Sequence, residues 1–544
     1  MPEPSFEIEV RTRHGMLVRA DVFLPSPGAS GRYPVLLAAS PYQKELRRLP
    51  ACWTFPYVET GPIELYLSRG YAYVWMDVPG SGASEGDWDP VSRREGEAIH
   101  DAIEYVARQP WCTGKIGMIG QSYFCWSQWN AARTRPPHLS TIAPFDGATD
   151  MYRDWMYHGG LPAHGFLGAW VLASVMLAHQ ATGHDIYGAN RHRFIADIYA
   201  HPFDDEWQRR RSPFWELDQV DIPVFSIGVW GKRALHLRGN VMGFERVRGP
   251  KQLLITHPNS WAGAQQLFAS RDFHERELLP WYDHHLKGVA NGVMERPAVR
   301  FFVNGEGEYR AAQSWPPPDV TPTSFYLSGR NSGAVRSLND GSLIETTPAA
   351  NGESTTWSYP DPRWVLGTTT FDSTGEMDHT AALLTYTSAP FACDREFTGH
   401  GVLVLHASSD QPDFDVIVRL STLSAAPGGR PHVRIESQGW LRASRRIEDP
   451  ALSTPMRPFF SHQRAEPVTP GQVYELRIEL LPMSFLVRAG ERLRLDISNN
   501  DSQVLDAPST HWYGLKVGRD TYHHDATYPS RLILPERHRQ ARTS

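Results

Sequence analysis

Lys115-Ile116-Gly117-Met118-Ile119-Gly120-Gln121-Ser122-Tyr123-Phe124-Cys125 is the stretch whose reading decides the fold. A short apolar run ends at Gly120-Gln121-Ser122 and a helix-compatible segment follows, so a serine is presented on a sharp strand-to-helix turn. Such a turn holds the hydroxyl at the end of a strand and leaves the next backbone N–H free to stabilise a developing oxyanion. A Gly-x-Ser triplet alone is common by chance. The strand before it and the helix after it are what give it weight.

Outward from this turn, strand-like runs alternate with helical ones: FEIEVRT, LVRADVFLP, YPVLLAAS, a helix around IELYLSRG, YAYVWMDV, and the helix REGEAIHDAIEYVARQ. Alternation of this kind predicts a mainly parallel sheet covered by helices on both faces. Residues 146–215 are rich in Trp, Tyr, His and Met at helical spacing with no clear strands, and are expected to form a helical cap. The sheet pattern returns at IPVFSIGVW and KQLLITH, followed by helix-like sequence near LFASRDFHERELLPWYDHHLKG. Beyond WPPPDVTPT come short β-rich runs separated by Gly, Pro, Asn and Asp, among them SFYLSG, VLVLHAS, DVIVRLST, YELRIELL and RLRLDISN. Their spacing predicts an antiparallel sandwich of jelly-roll type. A polar stretch near 346–356 reads as a loop. The expected organisation is an α/β domain in two parts, 1–145 and 216–315, a helical cap at 146–215, and an all-β jelly-roll domain at 316–544.

With 544 residues, 41% of them hydrophobic, the chain is long enough to bury more than one core. The net charge of -6 supplies no basic excess, which argues against nucleic acid or anionic lipid as partner. The first residues lack a secretion-signal pattern and no stretch approaches eighteen uninterrupted apolar residues, so the expected address is cytoplasmic, without membrane association. Cys52, Cys112, Cys125 and Cys393 are widely spaced with no CxxC pair and read as reduced thiols. The pairs His284-His285 and His523-His524 read as structural, since neighbouring helical side chains diverge by about 100°. No metal or organic cofactor is implied.

The motifs SPYQK, DVPGSGASEG, QPWCTGKIGMIGQSY, DMYRDWMYHGG, YDHHLKG, SDQPDFDVIVRLST and VRAGERLRLDISNN occur in order along nearly the whole chain. In these the sequence resembles the family of X-prolyl dipeptidyl-peptidases, cocaine esterase and α-amino-acid ester hydrolases. The resemblance implies an α/β-hydrolase domain with a helical cap and a following jelly roll. By position it implies Ser122 as nucleophile, with the Tyr42 hydroxyl and the Tyr123 backbone N–H as oxyanion donors.

The sequence departs from the family at the partners of the serine. Cys125 stands where the serine-tyrosine motif has a glycine. At the family's acid position the sequence carries Lys232, or Ala234 when counted back from Leu237-Arg238-Gly239, and between Pro223 and Ser260 the sole acidic residue is Glu245. At the histidine position it carries Ser260. An unassisted serine hydroxyl is a poor nucleophile, and losing a triad member costs on the order of 10⁴ in rate. His257, three residues before Ser260 at a strand end, is the expected replacement base, with Lys232 and His236 as further candidates. The expected function is hydrolysis of a small ester, amide or aminoacyl substrate. The alternatives are a repurposed pocket that binds a small molecule or supports an elimination or cyclisation, and a structural role resting on the jelly roll. The expected partner is a small acyl substrate or ligand. Oligomeric state is left open, homo-oligomers being common among soluble enzymes.

Overall fold

The computed structural model describes residues 1–25, 31–48, 59–171, 175, 194–425, 431–506, 509–511 and 516–538. The chain forms two compact units. One comprises Met1–Trp155, Leu167–His201 and Asp205–Phe301; the other comprises Met156–Phe166, Pro202–Asp204 and Phe302–Ser544.

The first unit is built on a sheet whose strands include β1 (Phe6–Arg11), β2 (Leu17–Phe23), β3 (Tyr33–Ser40), β4 (Ala72–Asp77), β5 (Cys112–Met118), β6 (Leu139–Ile142), β7 (Val224–Val229), β8 (Lys251–Thr256) and β9 (Val299–Val303). They lie side by side in the order β1-β2-β4-β3-β5-β6-β7-β8-β9. The β1-β2 and β2-β4 pairs are antiparallel and the rest are parallel. Sequence and position agree. Central β4 is buried at every residue and reads as an unbroken apolar run, because helices cover both its faces. Edge strand β1 alternates instead, with Ile8 and Val10 turned in and Glu7 and Glu9 turned out. The predicted helices appear at Ile63–Ser68, Arg93–Ala107 and Tyr123–Ala132, and the helix-like stretch before β9 contains helices at Trp261–Ala269 and Leu279–Lys287.

The insertion between β6 and β7 holds a π-helical turn at Tyr152–Met156 and short helical segments at His164–Ala169, Phe194–Ala200, Glu206–Arg209 and Pro213–Gln219. It also holds a two-stranded ribbon, Tyr157–His158 against Leu161–Pro162, which the helical spacing of this region does not announce. Residues 172–174 and 176–193 of the expected cap lie outside the described residues.

The second unit is a largely antiparallel jelly-roll sandwich. Arg395–Ser409 pairs with Tyr474–Val487, Gly518–His523 and Arg531–Arg537, while Asp415–Ser424 pairs with His432–Arg442 and Arg492–Ser498. Inward residues such as Phe397, Leu405, Val418, Ile478, Phe485 and Leu495 form its core. The stretch read as a loop near 346–356 is partly strand: Ser354–Tyr359 pairs with Gly518–His523, its buried side chains limited to Trp357 and Tyr359. An edge strand with so few apolar anchors resembles a loop in composition. Among the described residues no helix is long and apolar enough to cross a membrane.

Candidate active site

The turn after β5 has the geometry its sequence predicts. Ser122 has φ +61° and ψ −115°, a conformation that costs a non-glycine residue, and the helix Tyr123–Ala132 begins immediately after it. The Ser122 N–H donates to the carbonyls of Phe145 (3.2 Å) and Asp146 (3.1 Å), which fasten the turn to the loop after β6. Gly120 is required: its φ is +133°, and a Cβ there would fall 2.2 Å from Cβ of Phe124. As the first helical residue Tyr123 has no intrahelical acceptor for its N–H, which leaves it available to an oxyanion.

Tyr42 is brought to the same place by the end of β3. Its N–H donates to Ser40 Oγ (3.2 Å), and its hydroxyl accepts from Trp170 Nε1 (3.0 Å) and is in hydrogen-bond contact with Ser122. Burial, followed by the nearby Glu59 carboxyl, pushes the phenol well above its usual range, so it stays a neutral donor. The turn behind it is locked by Asp77, which accepts from the Lys44 N–H (2.8 Å) and lies against the glycine-rich turn, where a Cβ on Gly82 would meet Asp77 Oδ2 at 2.0 Å. Lys44, the last residue of the Ser-Pro-Tyr-Gln-Lys motif, is fully buried and bonded to Glu7 (2.5 Å), Asp21 (3.0 Å) and Glu45 (3.0 Å). Its role is to anchor the turn that carries Tyr42.

A buried carboxylate that motif matching overlooks lies beside this turn. Asp146 follows β6, has φ +58°, and donates its N–H to Ile227 O in β7 (2.7 Å). Its carboxylate has no solvent exposure; it accepts from Gln121 Nε2 (3.1 Å), pairs with Lys232 Nζ (3.0 Å), and stands 3.3 Å from His236 Nδ1. That last approach is at ion-pair distance but outside the angles of a good hydrogen bond. Burial alone would raise the Asp146 carboxyl; Lys232 and His236 overcome it and hold the group at about 2. His236 is likewise sealed from solvent, and burial, opposed by Asp146 and aided by Lys232, keeps it below the usual histidine range as a neutral imidazole. Among the described residues its Nε2 has no hydrogen-bond partner.

Local structure explains why these groups meet. Trp230–Lys232 is a single 3₁₀ turn and Arg233–Leu237 a π-helical turn, a wide winding that recurs at functional sites and here precedes the helix Arg238–Arg246. Asn240 in that helix clamps the Asp146 loop from both sides, donating to Pro144 O (3.1 Å) and accepting from the Gly147 N–H (2.9 Å). Arg238 adds a buried bond to Asp154 (2.7 Å). Trp126, one helical turn past Ser122, packs edge-on against His236 with ring centroids 5.7 Å apart.

Of the other sequence candidates, Lys232 is almost fully buried against Asp146, with Nζ 5.1 Å from the Trp261 ring centre. Ala234 is buried in the π-helical turn and Glu245 lies within the helix Arg238–Arg246. Ser260 caps the helix Trp261–Ala269, its Oγ accepting from the Gly263 N–H (3.1 Å). His257 is exposed at the end of β8; its loop touches the Lys232 segment through the Gly231 N–H to Pro258 O bond (3.0 Å). Cys125 is accommodated because Gly147 faces it, where a Cβ would meet Sγ at 2.6 Å. Trp88, Trp126, Trp155, Trp170 and Tyr123 form a contiguous buried aromatic wall beside the serine, with Trp170 stacked on Tyr123 (5.9 Å) and edge-on to Trp155 (5.3 Å). Among the described residues no group of three or more His, Cys, Asp or Glu side chains is arranged to hold a metal ion.

Comparison with known proteins agrees with this architecture. Residues 14–260 match the X-Pro dipeptidyl-peptidase (S15 family), and residues 291–533 match the X-Pro dipeptidyl-peptidase C-terminal non-catalytic domain. Cocaine esterase of Rhodococcus sp. is 26% identical, over 97% of this chain and 97% of that protein. A provisionally named serine esterase of Mycobacterium bovis is 28% identical, over 91% of this chain and 90% of that protein. Among solved structures, a CocE/NonD family hydrolase from Staphylococcus aureus superposes with a TM-score of 0.80 at 23% identity, covering 98% of this chain and 93% of that one. An α-amino-acid ester hydrolase gives 0.73 at 17% identity, covering 99% and 98%. With both of its parts matched in order, the chain belongs to the X-Pro dipeptidyl-peptidase and cocaine esterase family of α/β-hydrolases.

Proposed function

We propose that the protein is a serine hydrolase of small ester, amide or aminoacyl compounds, in which Asp146 and His236 take the places of the missing acid and base. The supporting observation is the 3.3 Å approach of His236 Nδ1 to Asp146, whose backbone carbonyl accepts the Ser122 N–H. A carboxylate on Nδ1 fixes the tautomer that leaves Nε2 as acceptor. In the reaction Ser122 Oγ attacks the substrate carbonyl while its proton passes to His236 Nε2. The tetrahedral oxyanion is held by the Tyr42 hydroxyl and the Tyr123 N–H, and collapse returns the proton to the leaving group. Lys232 balances the Asp146 charge and so limits how far the carboxylate can stabilise the imidazolium. A slow hydrolase is therefore expected.

A second reading, a pocket that binds without turnover or supports a non-hydrolytic reaction, is favoured by the lack of any hydrogen bond from His236 Nε2, to Ser122 included. Fluorophosphonate labelling located by mass spectrometry separates the two readings. Labelling at Ser122 that falls at least about 100-fold in His236→Ala supports His236 as base. The same fall in His257→Ala, with His236→Ala unaffected, assigns the role to His257. No labelling of folded protein removes the hydrolase reading.

A further inference from the structure

Glu59 is an ionisable side chain at this site for which the mechanism above has no use. It has no solvent exposure, and its backbone carbonyl accepts the Gln121 N–H (3.0 Å), so it is fixed one residue from the nucleophile. Gly120 leaves room for it: a Cβ there would stand 3.2 Å from that carbonyl oxygen. The Glu59 carboxyl shares its surroundings with Lys232, Asp146 and Tyr42, and the Gln265 amide approaches it. Yet neither carboxyl oxygen has a hydrogen-bond partner of normal geometry. Leaving a buried carboxyl unsatisfied is costly, and both it and His236 Nε2 are unpaired among the described residues while sharing Asp146 and Lys232 as neighbours.

We propose that Glu59 is a specificity-determining residue whose carboxyl engages an uncharged hydrogen-bonding group, such as an amide or ether oxygen, next to the substrate's scissile carbonyl. This rests on the serine-hydrolase reading and goes beyond it by naming a substrate class. The charge of the site decides between an uncharged and a cationic ligand. Lys232 is already the counterion of Asp146, and a second cation beside these buried groups would be repelled. Burial, aided by Asp146 and opposed by Lys232 and Gln265, pushes the Glu59 carboxyl well above its usual range, the direction that favours the protonated, donating form.

The test compares three 4-nitrophenyl esters: N-acetylglycinate (neutral amide), glycinate (ammonium) and propanoate (no polar group). The wild type is expected to favour the N-acetylglycinate. In Glu59→Leu the kcat/KM ratio of N-acetylglycinate to propanoate falls by about 10-fold or more, the loss of one buried hydrogen bond, and Glu59→Gln, which keeps a donor, restores most of it. An unchanged ratio, or a glycinate preference abolished by both variants, overturns the proposal; the latter would make Glu59 an anion for a cationic ligand. Binding of N-acetylglycinamide and glycinamide to the Ser122→Ala protein, with and without Glu59→Leu, reads the same preference without turnover, so a failure of hydrolysis is distinguishable from a failure of recognition. Infrared difference spectra of wild type against Glu59→Gln at neutral pH must also show a protonated carboxyl band. A carboxylate band instead refutes the mode of recognition.

Discussion

Replacing Asp146 by Asn is the perturbation whose consequences the structure fixes best. The side chain keeps its size and can still meet Gln121, but the charge shared by Lys232 and His236 disappears. A carboxyl held at about 2 in the fold, against an ordinary 3.8, contributes about 2 kcal/mol of stability at neutral pH. Because the folded value is depressed, that contribution is complete above about pH 4 and is lost as pH falls through 2. Removal of the partner also leaves Lys232 as a buried cation without its counterion, which brings the expected loss to about 3–5 kcal/mol. Urea unfolding of wild type and Asp146→Asn at pH 7 should show that difference, and at pH 3 it should shrink. Lys232→Met should be similarly destabilising alone, whereas the double variant, with no unpaired charge, should lose well under the sum of the two. In the same proteins Asp146→Asn should lower kcat by on the order of 10⁴ through the wrong histidine tautomer, with KM little changed. An Asp146→Asn protein as stable as wild type at pH 7, or additive single and double variants, would refute the charge pairing. A kcat within 10-fold of wild type would refute the role of Asp146 in catalysis.

Glu95 tests burial with the opposite sign. Its carboxyl accepts the Tyr123 hydroxyl (2.7 Å), and burial pushes it up to about 8 from an ordinary 4.5, so the native state loses on the order of 4 kcal/mol as pH rises from 4.5 through 8. Glu95→Gln should lack this loss, and its urea midpoint relative to wild type should rise between pH 5 and pH 8. Ser122→Gly should abolish fluorophosphonate labelling while gaining about 1 kcal/mol in stability, since glycine accepts φ +61° without strain. Asn240→Ala removes two buried bonds to the Asp146 loop and should cost about 2–3 kcal/mol in denaturant unfolding. It should also lower kcat more than it raises KM, because it frees the loop without touching the pocket.

The sheet was legible in the sequence where burial on both faces leaves an unbroken apolar run, as in Tyr33–Ser40 and Ala72–Asp77. Leu139–Ile142 was not, because four residues, one of them Ser and one Thr, carry no period. The nucleophile turn was legible because its glycine and serine obey local backbone rules. Asp146 was not, because its pairing with Lys232 and His236 spans about ninety residues of chain and depends on β6 and β7 being neighbours, which no local pattern records. One signal was available: Phe145-Asp146-Gly147 puts a lone acid into an otherwise apolar stretch directly after a run that could end a parallel strand, the edge at which such sheets bind ligands.

A hydrolase site that had simply decayed would relax toward unstrained backbone and apolar or solvated side chains, and this one has done neither. Seven non-glycine residues adopt left-handed φ among those described, and three of them are the serine itself, Asp146, whose carbonyl accepts the serine's N–H, and Gln43, next to Tyr42, at about 1–3 kcal/mol each. A fourth, Val91, donates its N–H to the Tyr123 hydroxyl (3.2 Å). Glu59, Asp146, Lys232 and His236 are withdrawn from water in the same place, at a further desolvation cost that the Asp146–Lys232 pair only partly offsets. Folding stability alone gives no reason to concentrate strain and buried charge at one turn, and perturbed ionisable groups of this kind gather at sites of chemistry or ligand recognition. Lys232, at the position where the family resemblance puts an acid, and Asp146, after the neighbouring strand, form a buried pair in which each charge needs the other. That mutual dependence makes the Asp146–Lys232 pair the place where a decayed site and a working one can be told apart.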